Sequence, residues 1–168
     1  MIDSHGREIN YLRISLTDRC NLRCNYCLPD QGMTFMPVNE FLTGEEIERV
    51  VRAAAVVGID KVRLTGGEPT LRVDIVDIVR RLAHLPGINE LVMTTNGLRL
   101  PELASGLAQA GLHRVNIHID SLDGVRLSHM MRFNSLSKAR AGIEAAERTE
   151  LQPIKHGCRA GLQCTGCG

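Results

Sequence analysis

Tryptophan is missing from this 168-residue chain altogether, and it has only two tyrosines and three phenylalanines. A surface that stacks unpaired bases is built from such rings, so this composition sets single-stranded nucleic acid aside as a partner. A strong charge of either sign is lacking too: 20 Lys and Arg stand against 19 Asp and Glu, a formal net charge of +1. Nothing therefore draws the chain in bulk toward a polyanion or an anionic membrane. No apolar run reaches membrane-spanning length, and the polar start Met1-Ile-Asp-Ser-His-Gly-Arg-Glu8 lacks the apolar stretch of a secretory signal. The expectation is a cytoplasmic protein with no membrane or nucleic-acid partner, in a compartment where clustered thiols stay reduced. No repeat or interior linker divides the chain, and 43% hydrophobic residues are enough for one sizeable core.

The chain does have thiols in one place. Three of its six cysteines fall within Cys20-Asn-Leu-Arg-Cys24-Asn-Tyr-Cys27. Asn21, Arg23 and Asn25 make this stretch polar, which argues against ordinary core cysteines. Thiols so close share a ligand. A closed structural zinc or iron–sulfur site takes four protein ligands, whereas three leave a position open for something that must bind and leave. The spacing fits an iron–sulfur cluster with one bare iron, and a three-thiolate zinc site is the other reading.

Tyr11–Leu16 alternates and is rich in strand formers, so it is predicted to be a strand that delivers the cysteine loop from its C-terminal end. Thr43-Gly-Glu-Glu46 is a capping box, followed at helical spacing by Ile47, Val50, Val51, Ala54 and Val57 until Gly58. A strand over 61–65 runs into Gly66-Gly67-Glu68-Pro69, and Ile75, Val76, Val79, Leu82 and Ala83 mark a second helix that Pro86-Gly87 stops. The pattern repeats with a strand at 91–95, a helix opened by Pro101, a strand at 115–119 ending in Asp120-Ser-Leu-Asp123, a helix over 137–148 and a strand at 153–155. Such alternation with short linkers predicts a parallel sheet with right-handed crossovers, either a barrel or a doubly wound sheet. Both place ligands at the strand C-termini. Gly66 and Gly67 stand at such an end, where missing Cβ atoms let backbone approach a ligand; a turn that merely needs positive φ is the plainer alternative. Beyond Lys155 the sequence becomes small and glycine-rich, so 1–155 is expected to be the folded core and 156–168 an irregular tail carrying Cys158, Cys164 and Cys167.

The CxxxCxxC loop, with Tyr26 just before its last cysteine, resembles that of the radical S-adenosylmethionine (SAM) enzymes. The resemblance implies a [4Fe-4S] cluster whose three irons are held by Cys20, Cys24 and Cys27 and whose fourth iron chelates SAM. It further implies that an electron from the cluster opens SAM to a 5'-deoxyadenosyl radical, with Gly67 binding the amino group of SAM and Tyr26 its adenine end. The fold it implies is α/β, a truncated partial (βα) barrel of about four βα units plus a fifth strand. More narrowly, Gly6-Arg7, Tyr11–Cys20, Lys61–Pro69, Met93–Gly97 and Val115-Asn-Ile with Asp120-Ser-Leu-Asp123 occur in the order found in the GTP 3',8-cyclases of molybdenum-cofactor biosynthesis, to which they are similar over about residues 3 to 155.

That narrower resemblance implies GTP as the substrate, converted to 3',8-cyclo-7,8-dihydro-GTP after hydrogen abstraction from the ribose, and an electron donor as partner. A triphosphate calls for fixed cations, and Arg suits bidentate phosphate contact. Arg13, Lys61, Arg63 and Lys155 interrupt strands, where any one alone would read as a solvated surface charge. By resemblance Arg63, Lys155 and Thr94 match substrate contacts, and Arg13 is expected to be a fourth. His118 departs from the family, which has a SAM-contacting serine there. The family's C-terminal half, with its second cysteine triplet, is expected to be absent, which would impair turnover. An unpaired parallel edge would favour association, so a homo-oligomer is also an expectation. The alternatives are a non-catalytic metal-binding remnant and a different radical SAM enzyme.

Overall fold

A computed structural model describes residues 2, 4–27, 34–133, 136–149, 151 and 155–157. Five parallel strands lie side by side in chain order: β1 (Tyr11–Ser15), β2 (Lys61–Thr65), β3 (Glu90–Thr95), β4 (Arg114–His118) and β5 (Lys155–Gly157). Helices α1 (Gly44–Val56), α2 (Ile75–Ala83), α3 (Leu100–Gln109), α4 (Gly124–Met131) and α5 (Leu136–Glu147) fill the connections. The fold is thus the expected α/β one, an unclosed partial barrel of four βα units and a fifth strand. Strand β5 extends two residues into the stretch expected to be tail; residues 152–154 and 158–168, with the three tail cysteines, lie outside the described residues.

Strands of a parallel sheet covered on both faces read as continuous apolar runs, but β1, β2 and β4 alternate, and only β3 has three apolar residues in a row. The reason is that the helices pack on one face only. Val62, Leu64, Leu91, Met93, Val115 and Ile117 point to the helices and are buried. The residues between them form a mainly polar inner face, broken by the buried Val92, where Arg13 lies in register with Arg63 and Thr94 with Asn116, which in turn pairs with Lys155. Each fully buried Leu or Val on the helix side contributes about 1.5–3 kcal/mol relative to exposure, so the alternation locks which face is which.

The capping box opens α1 as expected: the Thr43 hydroxyl accepts from the Glu46 amide at 3.2 Å, and the Glu46 carboxylate accepts from the Thr43 amide at 2.8 Å. The apolar stripe predicted for this helix is only partly a core stripe. Ile47 and Val51 are buried, but Val50 is 49% and Val57 54% exposed. The helix packs against α2 at the β1 end of the sheet, so only its inward turns are covered. Helix α4 was not anticipated. The Asp123 side chain caps it by accepting from Val125 and Arg126 amides at 2.9 and 3.0 Å, while Leu127 and Met131 bury one side. An Asp followed by apolar residues four apart was the signal for it.

Two helical glycines differ in what surrounds them. Gly106 in α3 has room for a methyl group, since its nearest neighbour would be Val76 Cγ2 at 3.7 Å; a Cβ on Gly142 in α5 would run into the Gly97 carbonyl. Gly106→Ala should therefore stabilise by about 0.5–1 kcal/mol through helix propensity. Gly142→Ala should destabilise by about 1–3 kcal/mol because α5 must move off the β3–α3 turn. Urea midpoints of the two variants against the parent check both signs.

Candidate functional site

The C-terminal ends of β1 to β4 meet around one cavity of about 260 Å³, lined by Arg13, the three cysteines, Tyr26, Thr65 to Glu68, Thr94 to Asn96 and His118 among others. The loop leaving β1 is held there by backbone. Leu16 N–H donates to Thr65 C=O at 2.9 Å, Gly67 N–H to Thr17 C=O at 2.6 Å and Glu68 N–H to Arg19 C=O at 2.7 Å. A Cβ on Gly66 would stand 2.6 Å from the Thr17 carbonyl oxygen, and one on Gly67 would collide with the Arg19 carbonyl. The space won by the two glycines is thus taken up by the start of the cysteine loop. Gly66, at φ +154°, also occupies a region that L side chains rarely adopt.

Glu68 was quoted in the motif but given no role, and it proves central. Its side chain is buried, and Oε1 accepts from the Thr70 amide at 3.1 Å, the Thr70 hydroxyl at 2.5 Å and the Thr95 hydroxyl at 2.7 Å. Its Oε2 accepts from the Asn96 amide at 2.8 Å, which ties the β2 turn to the end of β3. Asn96 then donates its side-chain amide to Asn21 at 2.7 Å, inside the cysteine loop. Arg72 braces the other side, donating to the Leu16 and Leu42 carbonyls and to both oxygens of Asp74, whose carboxyl it holds below the usual range.

Cys20 and Cys24 are half-buried and pack against the core, and Cys27 is exposed. Burial pushes the Cys20 and Cys24 thiols up, so a metal that takes them as thiolates must displace protons. Among the described residues no three His, Cys, Asp or Glu side chains are grouped to hold one metal ion. A zinc ion would draw its ligands to within about 2.0–2.3 Å of a single centre, whereas each thiolate of a cluster takes its own iron. Thiols ranged around a cavity, with two of them resting on the core, fit the cluster.

Tyr26 projects to the end of β4. Its hydroxyl donates to Asp120 Oδ2 at 2.6 Å and stands 3.5 Å from His118 Nε2, which is 3.1 Å from Asp120 Oδ1. Burial, reinforced by the Asp120 bond, pushes the phenol well above its ordinary pKa, so it remains a donor. Of the residues expected at the site, the three cysteines, Tyr26, Gly67, Arg13 and Thr94 line the cavity. Arg63 lies on the inner face below it, beside Arg13, with its guanidinium 5.4 Å from the Tyr11 ring centroid; Lys155 enters only by its place in the β5 register. His118 lines the wall and Asp120 is buried behind it; a lone acid at the end of an apolar strand was the available signal for Asp120.

Residues 14–158 match the Radical SAM superfamily profile. Over 155 residues, 92% of this chain, the sequence is 50% identical to the GTP 3',8-cyclase of Pelotomaculum thermopropionicum and 46% identical to that of Geobacter sulfurreducens; in each case it covers 48% of the relative. The chain thus spans about half the length of the curated relatives it matches. Among solved structures it superposes on HydG, a maturase of the [FeFe]-hydrogenase, with TM-score 0.70 at 14% identity over 88% of this chain and 34% of that one. It superposes on methylornithine synthase with TM-score 0.66 at 15% identity, over 88% and 44% of the two chains. At such identities these likenesses speak for the fold.

Replacing Glu68 by Gln keeps one oxygen but turns an NH2 group toward the Asn96 amide, leaving two donors face to face in a buried place. Glu68→Gln should cost about 1–3 kcal/mol in urea unfolding, and Glu68→Ala, which strips all four bonds, more.

Proposed function

The chain belongs to the radical SAM superfamily, whose cofactors, SAM and a [4Fe-4S] cluster, are its own, and on that premise we propose that it acts in converting GTP to 3',8-cyclo-7,8-dihydro-GTP for molybdenum-cofactor biosynthesis. Cys20, Cys24 and Cys27 would hold the cluster, and Gly67 and Tyr26, which line the same cavity, would hold SAM. When bound, and given an electron from an outside donor, these cofactors would supply the radical chemistry that takes hydrogen from the ribose. The protein's own part is to hold the substrate in position and keep the thiol cavity ordered.

The polar inner face carries this reading. Arg13 and Arg63 lie side by side in register, and among the described residues neither has a carboxylate partner. Arg63 Nε and Thr94 Oγ1 are buried without any hydrogen-bond partner among the described residues, which is rare in a folded protein and leaves both able to meet a ligand. Arg114 on the same face also has a buried Nε without a partner, but its charge is neutralised by Glu90 at 2.6 Å, and it is the missing carboxylate that sets Arg13 and Arg63 apart. Uncompensated guanidinium groups beside the cysteine cavity suit a triphosphate, with Arg13, Arg63 and Thr94 as contacts and Lys155 added from β5.

Reconstituted without oxygen, the protein should bind one cluster. Iron should be lost in Cys20→Ala, Cys24→Ala and Cys27→Ala but kept in Cys164→Ala and Cys167→Ala; iron that follows the latter two would overturn the ligand assignment. With dithionite and SAM, GTP should bind and stimulate 5'-deoxyadenosine formation, with the cyclised product read by mass spectrometry. Arg63→Ala should weaken GTP on the order of 10–100-fold, the worth of a charge-assisted phosphate contact. Equal responses to GTP and to nucleotide-free buffer would reject the substrate assignment.

A further inference from the structure

His118 and Asp120 share the strand parity that turns residues of β4 away from the helix-side core, and His118 forms part of the cavity wall with its side chain 39% exposed. The Asp120 side chain is fully buried, where an acceptor left without a donor is costly. It has a donor for each oxygen: the Tyr26 hydroxyl at Oδ2, 2.6 Å, and the His118 ring at Oδ1, 3.1 Å. A carboxylate only accepts, so His118 carries its proton on Nε2. The Tyr26–Asp120 bond joins the end of β4 to a side chain that sits between Cys24 and Cys27, 94 residues away in sequence, while the His118–Asp120 bond, within the strand end itself, holds the carboxylate that receives it. Asn25 N–H, donating to Met130 C=O at 3.0 Å, ties the same turn to α4.

We propose that His118 is a positioning residue for SAM, which through Asp120 holds Tyr26 and the turn between Cys24 and Cys27 at the cavity wall. The proposal rests on the reading of Tyr26 as a SAM contact. What matters at position 118 is a donor placed where Nε2 stands. An imidazole that merely filled the cavity would act in the opposite sense, and cutting it back would make room for SAM.

The experiment measures SAM affinity calorimetrically on the full, anaerobically reconstituted chain, with iron and sulfide content measured on the same samples. His118→Ala should weaken SAM about tenfold, the loss of one hydrogen bond plus a stranded carboxylate oxygen, with iron content at the parental level. His118→Gln, whose amide nitrogen reaches the Nε2 position, should recover most of the affinity. Tyr26→Phe should weaken SAM similarly, and the His118→Ala/Tyr26→Phe double variant should bind no worse than the weaker single, because the contacts act as one unit. His118→Ala binding SAM as well as or better than the parent, His118→Gln failing to rescue, or additive losses in the double variant would each overturn the proposal. Should His118→Ala fail to fold, the glutamine and phenylalanine variants decide. Parental protein that holds its cluster but binds no SAM would sink the reading of the site itself, an outcome distinct from parental binding that His118→Ala leaves unchanged.

Discussion

On leaving β1, the cysteine loop is pressed against the turn that ends β2, backbone on backbone. Gly67 and Glu68 amides donate to the Thr17 and Arg19 carbonyls, and a side chain at either glycine would push the two segments apart. The buried Glu68 carboxylate then gathers Thr70, Thr95 and the Asn96 amide, so that the ends of β2 and β3 are set by one group. A carboxylate is affordable in so dry a place only because every donor in reach is aimed at it. Loop, turn and strand end therefore move as a piece, and thiols that would otherwise wander on a polar loop are kept around one cavity.

The sheet divides its labour by face. Helices cover one side with Val, Leu, Ile and Met, and the other is left to Arg, Thr, Asn and His. Unpartnered buried atoms are normally few, and here Arg63 Nε, Thr94 Oγ1, Arg114 Nε and Asn116 Oδ1 fall on the same inner face. Leaving cations without carboxylates beside a cavity sacrifices some stability for a field that an anion can use. Arg114 and Glu90 show the same chemistry closed off: their pair is structural, near the N-terminal end of the strands and away from the thiols.

Features resting on short sequence spacing were legible before any coordinates. The cysteine triplet, the Thr43 capping box, the strand alternation and the order of elements all lie within a few residues of themselves, where backbone periodicity and turn chemistry dominate. Legibility failed where neighbours come from elsewhere. Val50 and Val57 fit the apolar period of α1, yet the sheet edge leaves them uncovered. That a Cβ at either site glycine would meet residues 17–19 was likewise invisible in the local spacing.

The sequence by itself determined that three thiols sit on a polar loop after a strand, that the chain alternates strand and helix, and that charged residues such as Arg13, Lys61 and Arg63 interrupt the strands. Those are statements about a period of two or 3.6 residues and about which groups can ligate a metal. Only the tertiary structure decided which residues hold the site: Glu68 meets Asn96 across 28 residues, Tyr26 meets Asp120 across 94, and Arg13 meets Thr65 across 52. His118 was an unexplained departure on the strand until folding placed it beside a buried carboxylate whose other side-chain donor among the described residues is Tyr26. A carboxylate's need for donors is local chemistry, but which donors answer it is settled by how parallel strands bring their ends together.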